Sequence, residues 1–247
     1  MYCLIRHDCI VNRNIYTVSI MTTNSKLRLI IQALTKLVLG IGMIGLLLFL
    51  PAGTWQYGHA WLFVSLLFIP MLGVGIWLLI RHPHLLMKRL NHKEEEKEQK
   101  RVVGLSGIMF IVGFLVCGLD FRYGWSHLPI GIVIGASILF LLSYALYAEV
   151  MRENAYLSRT IEIQDNQKLI DTGLYRIVRH PMYTVTIVMF LTMPLILGSA
   201  WGLLVFAFYP ILIVLRIRNE EQILMDGLEG YRDYQKRVPY RLIPWVW

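Results

Sequence analysis

Six apolar runs, set apart by polar connections, constrain this chain more than any other feature. They cover about residues 29–50, 60–80, 102–119, 129–151, 183–198 and 201–217. A helix needs about 20 apolar residues to cross a hydrocarbon core of roughly 30 Å. The last two runs are short and meet at Ser199-Ala200. They are expected to form either a tight helical hairpin that bends within the bilayer or two further spans. The expected fold is therefore all-α: a polytopic integral membrane helical bundle with five or six transmembrane helices. Composition agrees, because charged residues make up 16% of the chain, against about 25% in soluble domains.

Charge sets the expected orientation. All but two of the 24 lysines and arginines fall in the N-terminal segment, the 81–101 loop, the 152–182 loop and the C-terminal tail. Lys36 lies inside the first run and Arg122 in a connection between runs. Basic residues concentrate on the cytoplasmic side, so six spans put both termini and the 152–182 loop in the cytosol. The net charge of +8 is thereby read as topology, with no nucleic acid partner. Cys3, Cys9 and Cys117 show neither metal-ligand spacing nor a disulfide framework, and no metal is expected. Residues 1–28 read as a disordered cytosolic extension, with Met21 the expected start, 29–151 as four transmembrane helices and 152–247 as a functional C-terminal region containing the hairpin.

Residues 91–101 alternate in charge and read as a solvated helical face, with Glu96 and Lys100 at i,i+4. Around Asp165-Asn166-Gln167, the apolar pairs Ile161, Ile163 and Leu169, Ile170 predict a short β-hairpin in segment 160–172. Gly40-Ile-Gly-Met-Ile-Gly45 matches a dinucleotide-binding pattern but lies mid-span with no preceding strand, so it reads as small residues for helix packing. Gly131 and Gly135 likewise predict a close helix–helix contact. Arg81-His82-Pro83 echoes Arg179-His180-Pro181, but it lacks tyrosine partners and a downstream carboxylate pair. It reads as a basic helix exit.

The chemistry concentrates at residues 173–183, a cationic run pressed against an apolar one, and at Glu220-Glu221 one hairpin later. Charge next to lipid costs free energy and marks a site. Pro181 suits the first turn of a helix, so Tyr175, Arg179 and His180 are expected on a loop feeding it. That helix start offers N–H donors and a positive dipole end where a carboxylate can dock. Tyr183 projects from the first turn. Arg216 and Glu220, at i,i+4, share a helix face, and Glu221 points about 100° away. Convergent cationic and anionic groups of this kind match an amino acid zwitterion.

From about Tyr144 to Trp247 the chain resembles the isoprenylcysteine carboxyl methyltransferase family, within the wider group that includes phospholipid N-methyltransferases. The resemblance rests on Glu153-Asn154, Thr172-Gly173-Leu174-Tyr175, Arg179-His180-Pro181-Met182-Tyr183 and Glu220-Glu221, followed by Gly230-Tyr231-Arg232-Asp233-Tyr234 and the 238–244 run from Val238 to Pro244. It departs at Leu174, where many relatives carry proline. The resemblance implies S-adenosylmethionine as cofactor, in a cytosolic site formed by the C-terminal half. It implies a cradle made by the Arg179–Tyr183 loop, Gly173 and the glutamate pair. His180, the 181–183 helix start and Tyr175 would take the carboxylate and adenosyl parts, and Glu220 or Glu221 the ammonium. Arg216 would orient the acceptor.

Such a site serves a water-soluble donor and a lipophilic small-molecule or lipidated acceptor that enters from the membrane lipids. A carboxylate acceptor is ionised at pH 7 and needs only a cation to position it, the role expected of Arg216. That makes O-methylation the favoured reading. An amine, as in a phospholipid N-methyltransferase, needs a base, for which His180 or a tyrosine is the candidate. Another class of function is an NADPH-dependent membrane reductase of a sterol or enone, although no 2′-phosphate pocket is marked. A transporter would place ionisable groups at mid-membrane, and the spans read as almost uncharged apart from Lys36.

Overall fold

The computed structural model describes residues 23–81, 83–90, 97–154, 156 and 167–247. Among them every regular element is helical, and no strand occurs. Helices α1 (Thr23–Ala52), α2 (Gly58–Arg81), α3 (Pro83–Leu90), α4 (Lys97–Tyr123) and α5 (Ile130–Glu153) come first. A single 3-10 turn at Gly173–Arg176 leads to α6 (Pro181–Ile196), α7 (Ala200–Phe206), α8 (Tyr209–Gly227) and α9 (Tyr231–Arg237).

Among the described residues five stretches are long and apolar enough to cross a membrane: Leu27–Ala52, Gly58–Arg81, Lys100–Tyr123, Ile130–Glu153 and Ala200–Gly227, the last made of α7 and α8. Their outer faces leave Val38, Leu39, Ile69, Ile80, Ile134 and Leu204 exposed, as lipid-facing side chains must be. Helix α6 has 16 residues. At 1.5 Å per residue it measures about 24 Å, short of the roughly 30 Å core. The fifth apolar run is thus a short helix, paired with the longer returning stretch that holds the sixth. Gly198 and Ser199 break the pair, and the Ser199 hydroxyl caps α7 by accepting from Gly202 N at 2.8 Å.

The core lies between α2, α4, α5 and the α6–α8 hairpin, where Phe63, Phe140, Ile196, Phe206 and Ile217 are fully buried. Phe110 stacks edge-on against Phe190 and Phe206, joining α4 to the hairpin. At the end of the bundle remote from the 3-10 turn, Tyr57 donates to Leu197 O at 2.6 Å. Buried Asp120 accepts there from Ser126 N and Ser126 Oγ, both at 2.7 Å, and from Ser199 Oγ.

Two sequence expectations about glycine need correction. A side chain at Gly131 or Gly135 would meet nothing within 4 Å, and the same holds at Gly42 and Gly45. Only Gly40 of that motif faces a neighbour, Phe68. Close helix contacts occur instead at Gly113 against Phe206, at Gly118 against Pro51 and at Gly202 against Cys117. A spacing motif says which residues share a face, but not which face meets protein and which meets lipid. Residues 23–28 of the expected disordered extension are helical and form the start of α1, while residues 1–22 with the Met21 start, Glu96 of the Glu96–Lys100 pair and most of the expected β-hairpin lie outside the described residues. Residues 167–172, the remainder of that hairpin, carry no strand.

Candidate functional site

The two polar clusters that the sequence separates by a hairpin meet at one end of the bundle. Helix α6 starts there and α8 returns there, because the turn at 197–199 makes them antiparallel neighbours. Pro181 opens α6 without an N–H to satisfy, and His180 before it is non-helical, with φ −124° and ψ 61°. This turns the 177–180 segment outward along the chain's last loop. Arg179 N donates to Tyr240 O and His180 N to Arg241 O, each at 2.9 Å. The N–H groups of Tyr183 and Thr184 are both bonded to His180 O, so two donors near the helix start are already engaged.

The paired glutamates diverge, as adjacent positions on a helix must. Glu221 points into the protein and is buried. Its Oε1 accepts from Arg179 Nε at 2.7 Å and lies 3.2 Å from His180 Nε2, while its Oε2 accepts from Arg241 Nε at 2.8 Å. Arg179 also donates to Val238 O and Pro239 O. One carboxylate therefore ties α8, the α6 entry and the 238–241 segment together. A buried ion pair of this kind contributes little over an apolar contact, but breaking it leaves an uncompensated charge.

Glu220 faces the other way, into a cleft. Tyr183 donates to Glu220 Oε2 at 2.6 Å and accepts from Arg216 Nε at 2.8 Å. Arg216 and Glu220, one turn apart on α8, thus meet on one tyrosine hydroxyl. The His180 ring stacks beside that of Tyr183, with centroids 5.7 Å apart. Met182, Ile223, Leu224, Leu228, Leu169 and Ile170 also line the cleft, with Tyr231, Tyr234, Gln167 and Lys168. It combines charged groups with an apolar, aromatic lining.

The loop before α6 is held by groups that the sequence reading did not single out for a role. Glu153, at the end of α5, accepts from Leu174 N at 3.1 Å. Gly173 has φ +48°, and any side chain there would run into the Glu153 carboxylate. Only glycine fits both the backbone and the space. Asn154 Nδ2 donates to the Tyr175 hydroxyl at 3.0 Å, and Tyr234 donates to Tyr175 O at 2.7 Å. Of the sequence candidates, Tyr175, Arg179, His180, Pro181, Tyr183, Arg216 and Glu220 all line the cleft. Gly173 supports the loop behind it, and Glu221 anchors the wall from inside.

Arg241 was counted with the topological charges because nothing local in the sequence links it to a glutamate 20 positions away. Tyr231 and Tyr234 carried a signal in their spacing, which also fits an interfacial aromatic belt. Among the described residues no cluster of histidine, cysteine or acidic side chains could hold a metal ion.

Part of the chain that lines this cleft matches a known family model. Residues 131–229 match the phospholipid methyltransferase family. The match runs from α5 to the end of α8, includes both halves of the polar constellation and stops before α9. It agrees with the wider group that the sequence resembles, and it supports a membrane methyltransferase. A 91-residue stretch is also 34% identical to the Delta(14)-sterol reductase TM7SF2 of Mus musculus. That stretch covers 36% of this chain and 22% of the reductase, so the chain spans about a fifth of that relative's length.

Proposed function

We propose that this protein is an integral membrane methyltransferase that uses S-adenosylmethionine to methylate a lipophilic acceptor at the cytosolic mouth of its final hairpin. The observation that carries the reading is the single cleft in which Glu220, Tyr183, Arg216 and His180 face an apolar and aromatic lining. That set suits the cofactor: a carboxylate for its ammonium, the His180 loop and the start of α6 for its carboxylate, and an apolar, aromatic wall for the remainder. When bound, S-adenosylmethionine supplies an activated methyl group, which leaves the protein mainly positioning to do.

Of the two glutamates, Glu220 is assigned to the ammonium. Glu221 is already matched by Arg179, His180 and Arg241, whereas Glu220 opens on the cleft and an ionised carboxylate accepts several hydrogen bonds. Arg179, Gly173 and Glu221 keep the wall in place, and Tyr175, His180 and Pro181 form its loop side. Arg216, one turn deeper along α8, orients the acceptor. A carboxylate acceptor meets that guanidinium already ionised and requires no proton transfer. A lipophilic acceptor reaches the cleft from the bilayer past Met182 and Ile223. Concentration of basic residues in the connections at this end supports a cytosolic active site and cytosolic termini.

The family description favours a second reading, N-methylation of a phospholipid amine. In that case the acceptor must lose a proton. His180 is engaged with Glu221, so Glu220, through the Tyr183 hydroxyl it already accepts from, is the better placed base. The partial identity to a sterol reductase makes NADPH reduction the competing class. Titration calorimetry of the purified full chain with S-adenosylmethionine and with NADPH separates the two. Saturable binding of the first alone is expected. Binding of NADPH alone overturns the proposal. The acceptor is then found by a mass increase of one CH₂ among membrane lipids and metabolites when the protein is present.

A further inference from the structure

The 231–234 tyrosine pair divides into one satisfied hydroxyl and one unsatisfied hydroxyl. Tyr234 donates to Tyr175 O at 2.7 Å. Tyr231, one turn earlier on α9, is 3% exposed and lines the same cleft, and its hydroxyl has no hydrogen-bond partner among the described residues. A buried, unpaired hydroxyl is costly and rare in a folded protein. One that lines a ligand cleft has an evident use for its proton.

We propose that Tyr231 is a further cofactor-contacting residue, whose hydroxyl donates a hydrogen bond to bound S-adenosylmethionine from the α9 side of the cleft. The inference rests on the function proposed above and adds a residue that lies outside both the polar constellation and the family match, which ends at residue 229. Tyr231 lines the cleft from α9, together with Leu224 and Leu228. Burial, with Glu221 and Glu220 nearby, pushes this hydroxyl above its usual pKa, so it stays a protonated donor through the physiological range. A protonated phenol pairs with an oxygen or nitrogen acceptor, which the nucleoside portion supplies.

The test is Tyr231→Phe in the purified full chain, with Tyr234→Phe as the contrast. Thermal unfolding without ligand and calorimetric affinity for S-adenosylmethionine and S-adenosylhomocysteine are measured for each. Removing an unpaired hydroxyl should leave the unliganded unfolding temperature unchanged or raised. Affinity for both ligands should fall about three- to tenfold, the worth of one neutral hydrogen bond. Tyr234→Phe should instead lower the unliganded unfolding temperature. If Tyr231→Phe lowers that temperature while both affinities stay at the wild-type value, the hydroxyl is structural and the inference is overturned. If the wild-type protein binds neither ligand, the functional proposal itself fails, a result that does not depend on the variant.

Discussion

Each end of the helical bundle buries a carboxylate, and the two are satisfied in different ways. At the remote end Asp120 accepts from Ser126 and Ser199, and those serine hydroxyls in turn accept from Ala200 N and Gly202 N. Neutral donors close the charge into a cap that fixes the turn between α6 and α7. At the other end Glu221 is held by Arg179, His180 and Arg241, and a cleft lies beside it. Glu220, its neighbour in sequence, faces that cleft. A buried acid is therefore not by itself the mark of a site. The mark is a polar group turned toward space that a ligand can fill.

This contrast can be broken by mutation. The largest loss of stability is expected for Glu221→Ala, about 3–5 kcal/mol, because the buried Arg179 guanidinium loses its counter-charge and half-buried Arg241 loses its partner. Unfolding in detergent measures it, and a loss below about 1 kcal/mol would mean that the 238–241 segment is not anchored through this residue. Asp120→Ala should cost less, about 1–3 kcal/mol, since it orphans neutral hydroxyls rather than charges. It should leave cofactor affinity unchanged, and a fall in affinity would show that the two ends communicate.

Gly173→Ala forces a side chain into a left-handed position, at about 1–2 kcal/mol, and displaces Glu153 as well. It should weaken cofactor binding through the loop, with a smaller loss of stability than Glu221→Ala. Glu220→Gln should have the smallest effect on unfolding, within about 0.5 kcal/mol, yet abolish S-adenosylmethionine binding in calorimetry. Retained binding would move the ammonium contact elsewhere and remove the contrast between the two glutamates.

Much of the architecture was legible in the chain because hydrophobic length is a local property. The four long apolar runs are α1, α2, α4 and α5, and Ser199-Ala200 does separate the last two. The pairing of Arg216 with Glu220 also follows from helix periodicity, and both reach Tyr183. Packing partners were not legible. The glycine spacings at 40–45 and 131–135 suggested contacts that lie instead at Gly113, Gly118 and Gly202. Asp120 drew no notice, because its partners come from two other segments.

What the sequence determined by itself is that this chain enters a membrane and gathers charge at the ends of its final hairpin. Both follow from the cost of placing polar groups in hydrocarbon, which each segment meets separately. Only the tertiary structure decided which glutamate is locked and which faces the cleft, and that the Tyr231 hydroxyl has no hydrogen-bond partner among the described residues. Those outcomes depend on Arg241, Val238 and Tyr240 folding back onto residues some 60 positions earlier. A contact of that span leaves no local pattern, because hydrogen bonds are satisfied by position in space and not by distance along the chain.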